Sequence, residues 1–182
     1  MSKIAVFFAE GYEEVEALAV VDLCRRAGIE VSMVSVSGDH FVRGSHGINV
    51  EMDALLEEVE FDELDMLVLP GGKPGTPNLE ACEPLMKQLD AFYEAGKYIT
   101  AICAAPSIFG HRGFVKNRRA CSYPTAESQL AGACVTKGPV EIADHVITSR
   151  GMGTAVDFGL AIVGIFCGQE KADELSEGIV YR

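Results

Sequence analysis

The sequence predicts an α/β fold: an open, doubly wound, mostly parallel sheet with helices on both faces. Three observations predict it. Short apolar runs of strand length at 4–8, 31–36, 66–69, 98–102 and 146–148 alternate with longer stretches of helical periodicity. The first of these runs is apolar at consecutive rather than alternate positions, as central strands covered on both faces must be. Gly11, Pro70-Gly71-Gly72 and Cys103 follow three of the runs, and in such a sheet the turns at the carboxyl ends of the strands form one ligand-binding rim.

Taken in order, 4–8 is the first strand and Gly11 turns the chain. Over 13–27, Ala17, Val20, Val21 and Cys24 recur at helical spacing. Glu13, Glu14 and Glu16 crowd the start and Arg25 and Arg26 the end, both signs complementing the helix dipole, and Gly28 stops the helix. A second strand spans 31–36, and 41–50, with Gly44 and Gly47, reads as a hairpin or a pair of edge strands. The acidic stretch 57–65 reads as exposed helix and loop. Strand 66–69 runs into Pro70-Gly71-Gly72, where glycine lets backbone N–H groups approach a ligand. A helix follows over about 78–95, closed by Gly96, and then strand 98–102. Beyond it, 120–122, 133–136 and 146–148 are short strands and 153–166 a closing amphipathic helix. The polar tail 169–182 carries no readable motif.

The 182 residues, 48% hydrophobic and 23% charged, suffice for one core and are short for two domains, so a single domain over 1–182 is expected. The opening run is too short for a signal peptide and no stretch approaches a membrane span, which predicts a cytoplasmic protein. A net charge of −12 opposes nucleic acid and anionic membranes. Lys116-Asn-Arg-Arg119, the only basic cluster, reads as a solvated loop. The six cysteines form no C-x-x-C pair, and His40, His46, His111 and His145 show no metal-ligand spacing, so neither disulfides nor a metal is expected. Gly151 to Val156 superficially matches a dinucleotide fingerprint but lacks its last glycine and a following unit. Asp157-Phe-Gly159 falls inside a helix without companion motifs, and no cofactor is expected.

The candidate reactive residue is Cys103. It sits where strand 98–102 meets Pro106, a residue tolerated in a first helical turn, so its thiol is expected at a helix start that favours the thiolate. The plain alternative is a small buried hydrophobe. Glu16 lies near the buried edge of the first helix, at the same rim, although periodicity alone does not separate it from Glu13.

Four segments in order, Glu10-Gly-Tyr-Glu-Glu-Val-Glu16, Leu69-Pro-Gly-Gly72, Ala101-Ile-Cys-Ala-Ala-Pro106 and Thr148-Ser-Arg-Gly-Met-Gly-Thr154, resemble the DJ-1/ThiJ/PfpI superfamily, most closely its small, single-domain ThiJ-like branch. The resemblance implies a flavodoxin-like sandwich, a homodimer, Cys103 at a nucleophile elbow and Glu16 as the neighbouring acid. It further implies Gly72 and Ala104 as oxyanion-type backbone donors. Where the branch often places a histidine, Ser122-Tyr123-Pro124 offers Tyr123, a candidate accessory residue. The peptidase branch has histidine directly after the cysteine, and here stands Ala104, so peptide hydrolysis lacks its general base. The implied activity is cofactor-free glyoxalase or deglycase chemistry on a small carbonyl substrate such as methylglyoxal, in carbonyl and oxidative stress defence. The alternative is a non-enzymatic redox sensor or protective, chaperone-like protein that uses oxidation of Cys103 to sulfinate.

Overall fold

Strand β1 (Lys3–Phe8) explains the layering: its side chains alternate between two separate apolar clusters, Ile4, Val6 and Phe8 in one and Ala5 and Phe7 in the other. The computed structural model describes residues 2–181. Helix α1 (Glu14–Arg26) follows, with the Glu13 carboxylate accepting the Glu16 N–H at 2.7 Å as its N-cap. Next come β2 (Glu30–Ser35), the hairpin strands β3 (Phe41–Arg43) and β4 (Asn49–Glu51), and the short β5 (Ala54–Leu55). Strand β6 (Met66–Leu69), helices α2 (Gly75–Glu80) and α3 (Glu83–Glu94), strand β7 (Tyr98–Ile102) and helix α4 (Pro106–His111) form the middle of the chain. The rest is β8 (Arg119–Ala120), β9 (Cys134–Val135), β10 (Val140–Ala143), β11 (Val146–Ser149), α5 (Ala155–Cys167) and α6 (Gln169–Gly178).

The main sheet has the order β10-β11-β7-β6-β1-β2-β5, parallel throughout except for the antiparallel edge β10. The chain winds outward from β1 through β2 to β5, then returns to β6 and winds the other way, so the strand order reverses between β1 and β6. This is the doubly wound, flavodoxin-like arrangement that the alternation predicts, and it puts the loops after β1, β6 and β7 side by side. On one face Ala17, Val20 and Cys24 of α1 and Phe158, Ile162 and Val163 of α5 cover Ile4, Val6, Phe8 and Val68. On the other, Leu85, Leu89 and Phe92 of α3 and Ile108 and Phe109 of α4 cover Ala5, Phe7, Leu67 and Ile99.

One expectation changes and three gain detail. The helix expected over 78–95 is two helices with a break at Ala81–Cys82, because Pro84 has no N–H to continue a ladder through the break and instead occupies the first turn of α3. The acidic stretch forms two single 3-10 turns, Leu56–Glu58 and Phe61–Glu63, the second anchored by Phe61 stacking on Phe7 at 6.0 Å. The tail without a readable motif forms α6, which buries Ala172 in the core shared with α5. Strand β10 was not foreseen. Among the described residues no helix is long and apolar enough to cross a membrane.

The segment following Tyr123 depends on Gly110 of α4, against which the 3-10 turn Pro124–Gln129 packs. A Cβ there would stand 2.0 Å from the Gln129 carbonyl oxygen, and backbone cannot yield as a side chain end would. Gly110→Ala is therefore expected to lower stability by about 3 kcal/mol, read from a urea denaturation midpoint at unchanged m-value.

Candidate active site

Cys103 follows β7 with φ of +66°, in the left-handed region that a residue with a Cβ enters only when its surroundings hold it there. Two backbone hydrogen bonds do so: Cys103 N–H donates to Ser149 O at 3.0 Å, and Tyr123 N–H donates to Cys103 O at 2.7 Å. One ties the turn to the end of β11 and the other to the segment after β8. The thiol projects onto the α1–α5 face, where it is half-buried and hydrogen-bonds the Glu16 carboxyl.

Glu16 lies one turn into α1 and is 1% exposed. Its Oε2 accepts the Gly71 N–H at 3.0 Å. Burial pushes its pKa up to about 7; the Cys103 thiol and the Gly71 and Met152 backbone N–H groups oppose that shift, and the Glu13 charge adds to it. The Glu13 or Glu16 ambiguity is thereby resolved in space, since Glu13 caps the helix and Glu16 faces the thiol.

The sequence expectation that a helix start makes Cys103 a thiolate is corrected. Helix α4 has six residues, and burial, the Glu16 charge and the Glu16 hydrogen bond all push the thiol up, with only the Ala104 N–H acting the other way. The two groups titrate together: Glu16, raised to about 7, gives up its proton first, and the Cys103 thiol stays protonated beside the carboxylate that can take its proton.

The two glycines after β6 divide their work differently from the expectation for Gly72 alone. At Gly71 a Cβ would lie 2.6 Å from Cys103 Cβ and 2.7 Å from Glu16 Oε2, so only glycine lets the three groups meet. Gly72, at φ +109°, packs instead on the backbone of Gly11 to Glu13, and its N–H has no acceptor among the described residues. Gly71 and the Met152 N–H escaped sequence reasoning; the Gly-Gly pair was visible, but nothing in spacing says which glycine touches the acid. Tyr123 stands at the mouth, 48% exposed. Its ring lies beside Gly151, and the 3-10 turn that follows is pinned by Arg150 to Glu127 at 3.0 Å.

The histidines are engaged elsewhere. His40 meets Met52 O, His111 pairs with Glu80 at 2.6 Å, and His145 packs on Tyr93. His46 pairs with Glu14 at 2.8 Å. Glu13, Glu14 and His46 form the one group of potential metal ligands among the described residues, but the Glu14 oxygens already accept hydrogen bonds from Ser45 and from the side chain and backbone of His46. The arrangement is an ion pair that docks the β3–β4 hairpin onto α1.

The description "DJ-1/PfpI family" matches residues 2–164. Protein DJ-1 homolog B of Arabidopsis thaliana is 37% identical over 99% of this chain, which spans 42% of that relative's length. The glutathione-independent glyoxalase DJR-1.2 of Caenorhabditis elegans is 33% identical over 91% of this chain and 89% of its own. Among solved structures, oxidized DJ-1 of Toxoplasma gondii superposes with a TM-score of 0.95 at 31% identity, covering 100% of this chain and 99% of that one.

The loss of the Glu16 proton beside the thiol has a measurable signature. Alkylation of Cys103, followed residue by residue with peptide mass mapping, is expected to rise in a step near pH 7 as the pair loses its first proton. In Glu16→Gln that step should vanish, because no group beside the thiol is left to take its proton; a step that persists would assign it elsewhere.

Proposed function

The chain belongs to the DJ-1/PfpI family, and on that basis we propose that it is a cysteine-dependent glyoxalase- or deglycase-type enzyme of carbonyl and oxidative stress defence, with Cys103 as nucleophile and Glu16 as general acid and base. The observation that carries the reading is the buried Glu16 carboxyl, poised near neutrality and hydrogen-bonded to the one cysteine held at a strained turn. The relative described as a glutathione-independent glyoxalase supports the reaction class.

With methylglyoxal the steps balance using the chain's own groups and one water. The Cys103 proton passes to Glu16 as Sγ bonds to the aldehyde carbon, and the carbonyl π electrons move to oxygen. The Gly72 and Ala104 N–H groups are assigned as donors to that oxyanion, which takes the proton back from Glu16, giving a hemithioacetal. The Glu16 carboxylate then removes the hydrogen on the sulfur-bearing carbon, and the electron pair forms an enediolate with its charge on the neighbouring oxygen. The hydroxyl proton on the first carbon's oxygen passes to that neighbouring oxygen, the carbonyl on the first carbon closes, and Glu16 returns its proton to the second carbon, giving a lactoyl thioester. Water cleaves it to lactate and restores the thiol. The pKa of Glu16, near that of the medium, suits a group that must both give and take. Tyr123 is not assigned a proton step.

A second reading uses the same thiol. The similar Toxoplasma gondii structure is of an oxidized protein, and peroxide oxidation of Cys103 to sulfinate beside a protonated Glu16 would make this chain a redox sensor or protective protein. We further take 1–182 as one cytoplasmic domain acting as a homodimer, with exposed Val15 and Ile48 beside the docked hairpin as apolar surface suited to a second copy.

Turnover separates the readings. Wild type is expected to consume methylglyoxal catalytically and produce lactate, and Cys103→Ser to lose at least about 1,000-fold in kcat/KM, on the order of 4 kcal/mol of transition-state stabilisation. Stoichiometric gain of two oxygens on Cys103 with no lactate formed would replace the enzyme by the sensor.

A further inference from the structure

We propose that the Thr154 hydroxyl is a positioning group for the Cys103–Glu16 pair: it closes the turn between β11 and α5 so that one end of the turn holds the Cys103 backbone and the other presents the Met152 N–H to the Glu16 carboxyl. This rests on the reading of Cys103 and Glu16 as the reactive pair and adds what holds them in register.

Thr154 stands directly before α5, where a threonine ordinarily accepts an N–H of the helix that follows it. It makes no side-chain bond to α5. Its hydroxyl turns back along the chain instead. Oγ1 accepts the Gly151 N–H at 3.1 Å, stands 2.9 Å from Gly151 O, and lies 2.8 Å from Ser149 Oγ. The Ser149 hydroxyl donates to Pro139 O at 2.7 Å, so the contact between the two side chains is made by the Thr154 proton. The Thr154 N–H also donates to Gly151 O, at 2.8 Å. Residues 149–154 are thereby closed on one side-chain oxygen.

Both ends of this closed turn reach the reactive pair. Ser149 O accepts the Cys103 N–H at 3.0 Å, one of the two bonds that hold Cys103 at positive φ. Gly151 passes beside the acid, since a Cβ built on it would stand 3.9 Å from Glu16 Oε1, and the Met152 N–H that follows is hydrogen-bonded to the Glu16 carboxyl. The groups that face Glu16 are the Cys103 thiol, the Glu13 charge, the Gly71 N–H from the loop after β6 and this Met152 N–H. Arg150, in the same turn, is directed away to Glu127. Of the two backbone donors, only the Met152 N–H is carried by the turn that Thr154 closes. Ser149 and Gly151 are buried, so water does not replace an acceptor lost there. A donated N–H favours the carboxylate over the acid, and a turn that drifts from Glu16 moves its proton loss to higher pH. Thr154 touches neither the thiol nor a substrate atom, and its effect passes through Ser149 O and the Met152 N–H.

The test compares wild type, Thr154→Val and Thr154→Ser in the full chain, following the pH dependence of Cys103 alkylation by peptide mass mapping. Wild type is expected to show its step near pH 7. Thr154→Val, which keeps the shape and removes the hydroxyl, should move the step up by about one pH unit, and Thr154→Ser, which keeps the hydroxyl, should return it. A purely structural role lowers the denaturation midpoint and leaves the step where it was, so an unmoved step in folded Thr154→Val overturns the proposal. If Thr154→Val does not fold, Thr154→Ala, which has no branch to crowd the turn, is read in the same way. A wild type that shows the step but turns over no methylglyoxal removes the enzymatic reading alone, and the position of the step in the variants still decides the proposal. A wild type without a step removes the pair and the proposal together.

Discussion

A carboxyl group that is 1% exposed, met by a thiol and by two backbone N–H groups, is a costly thing to build, and the loops at the sheet rim are arranged around it. Burying a carboxylate without full compensation shifts it toward its neutral form, which is what the rise of Glu16 to about 7 expresses. The approach of Gly71 is what makes the burial tolerable, since its N–H supplies a donor and its missing side chain supplies the space. That approach in turn requires the loop after β6 to lie on the loop after β1. Glu13 N–H donates to Gly71 O, Gly75 N–H donates to Gly11 O, and Gly72 sits against the Gly11 to Glu13 backbone. The reversal of strand order between β1 and β6 is the topological reason those two loops are neighbours.

The strain at Cys103 belongs to the same economy of space. A left-handed conformation at a residue with a Cβ costs on the order of 1–3 kcal/mol, and two backbone hydrogen bonds contribute roughly 1 kcal/mol each. The two nearly offset, so the turn persists because β11 and the segment before Tyr123 hold both its N–H and its carbonyl. An extended conformation at Cys103 would free the backbone but swing the thiol away from Glu16. The strained turn is thus the one that brings the thiol and the buried carboxyl together.

Much of this was legible in the sequence, and the parts that were not share a cause. Strands β1, β6 and β7 are uninterrupted apolar runs, and α1 has acidic and basic ends with a glycine stop, so local pattern and tertiary role agree. Cys103 could be placed at a turn because Pro106 fixes where a helix can begin. The direction of its titration could not, because it depends on Glu16, far earlier in the chain, and on burial that no local pattern encodes. Helix α6 was missed since only Ala172 and Leu175 face the core from a polar segment, and β10 because an edge strand with Ile142 exposed lacks the buried run used to find the others. The break before α3 was readable from Pro84, had its missing N–H been weighed against the periodicity on either side.

Glu14 and Glu16 stand two residues apart on one helix and are driven in opposite directions. Both are buried, at 4% and 1% exposure, so desolvation raises each of them. Glu14 is rescued by numbers: the His46 side chain, the His46 N–H and the Ser45 hydroxyl all donate to it, and together they outweigh burial and hold it below the usual carboxylate range. In return the Glu14 charge raises His46, so that contact is strongest while His46 is protonated and weakens as the pH rises through its raised value. Glu16 faces a neutral thiol and two backbone N–H groups, too little to overcome burial, and the Glu13 charge works against it. One carboxylate is thereby fixed as a structural anion that clamps the hairpin, and the other is left able to exchange a proton near neutrality. Because successive helical positions point about 100° apart, two residues along α1 are enough to turn from the hairpin to the thiol. The helix start supplies both groups, and what each faces decides which one can do chemistry.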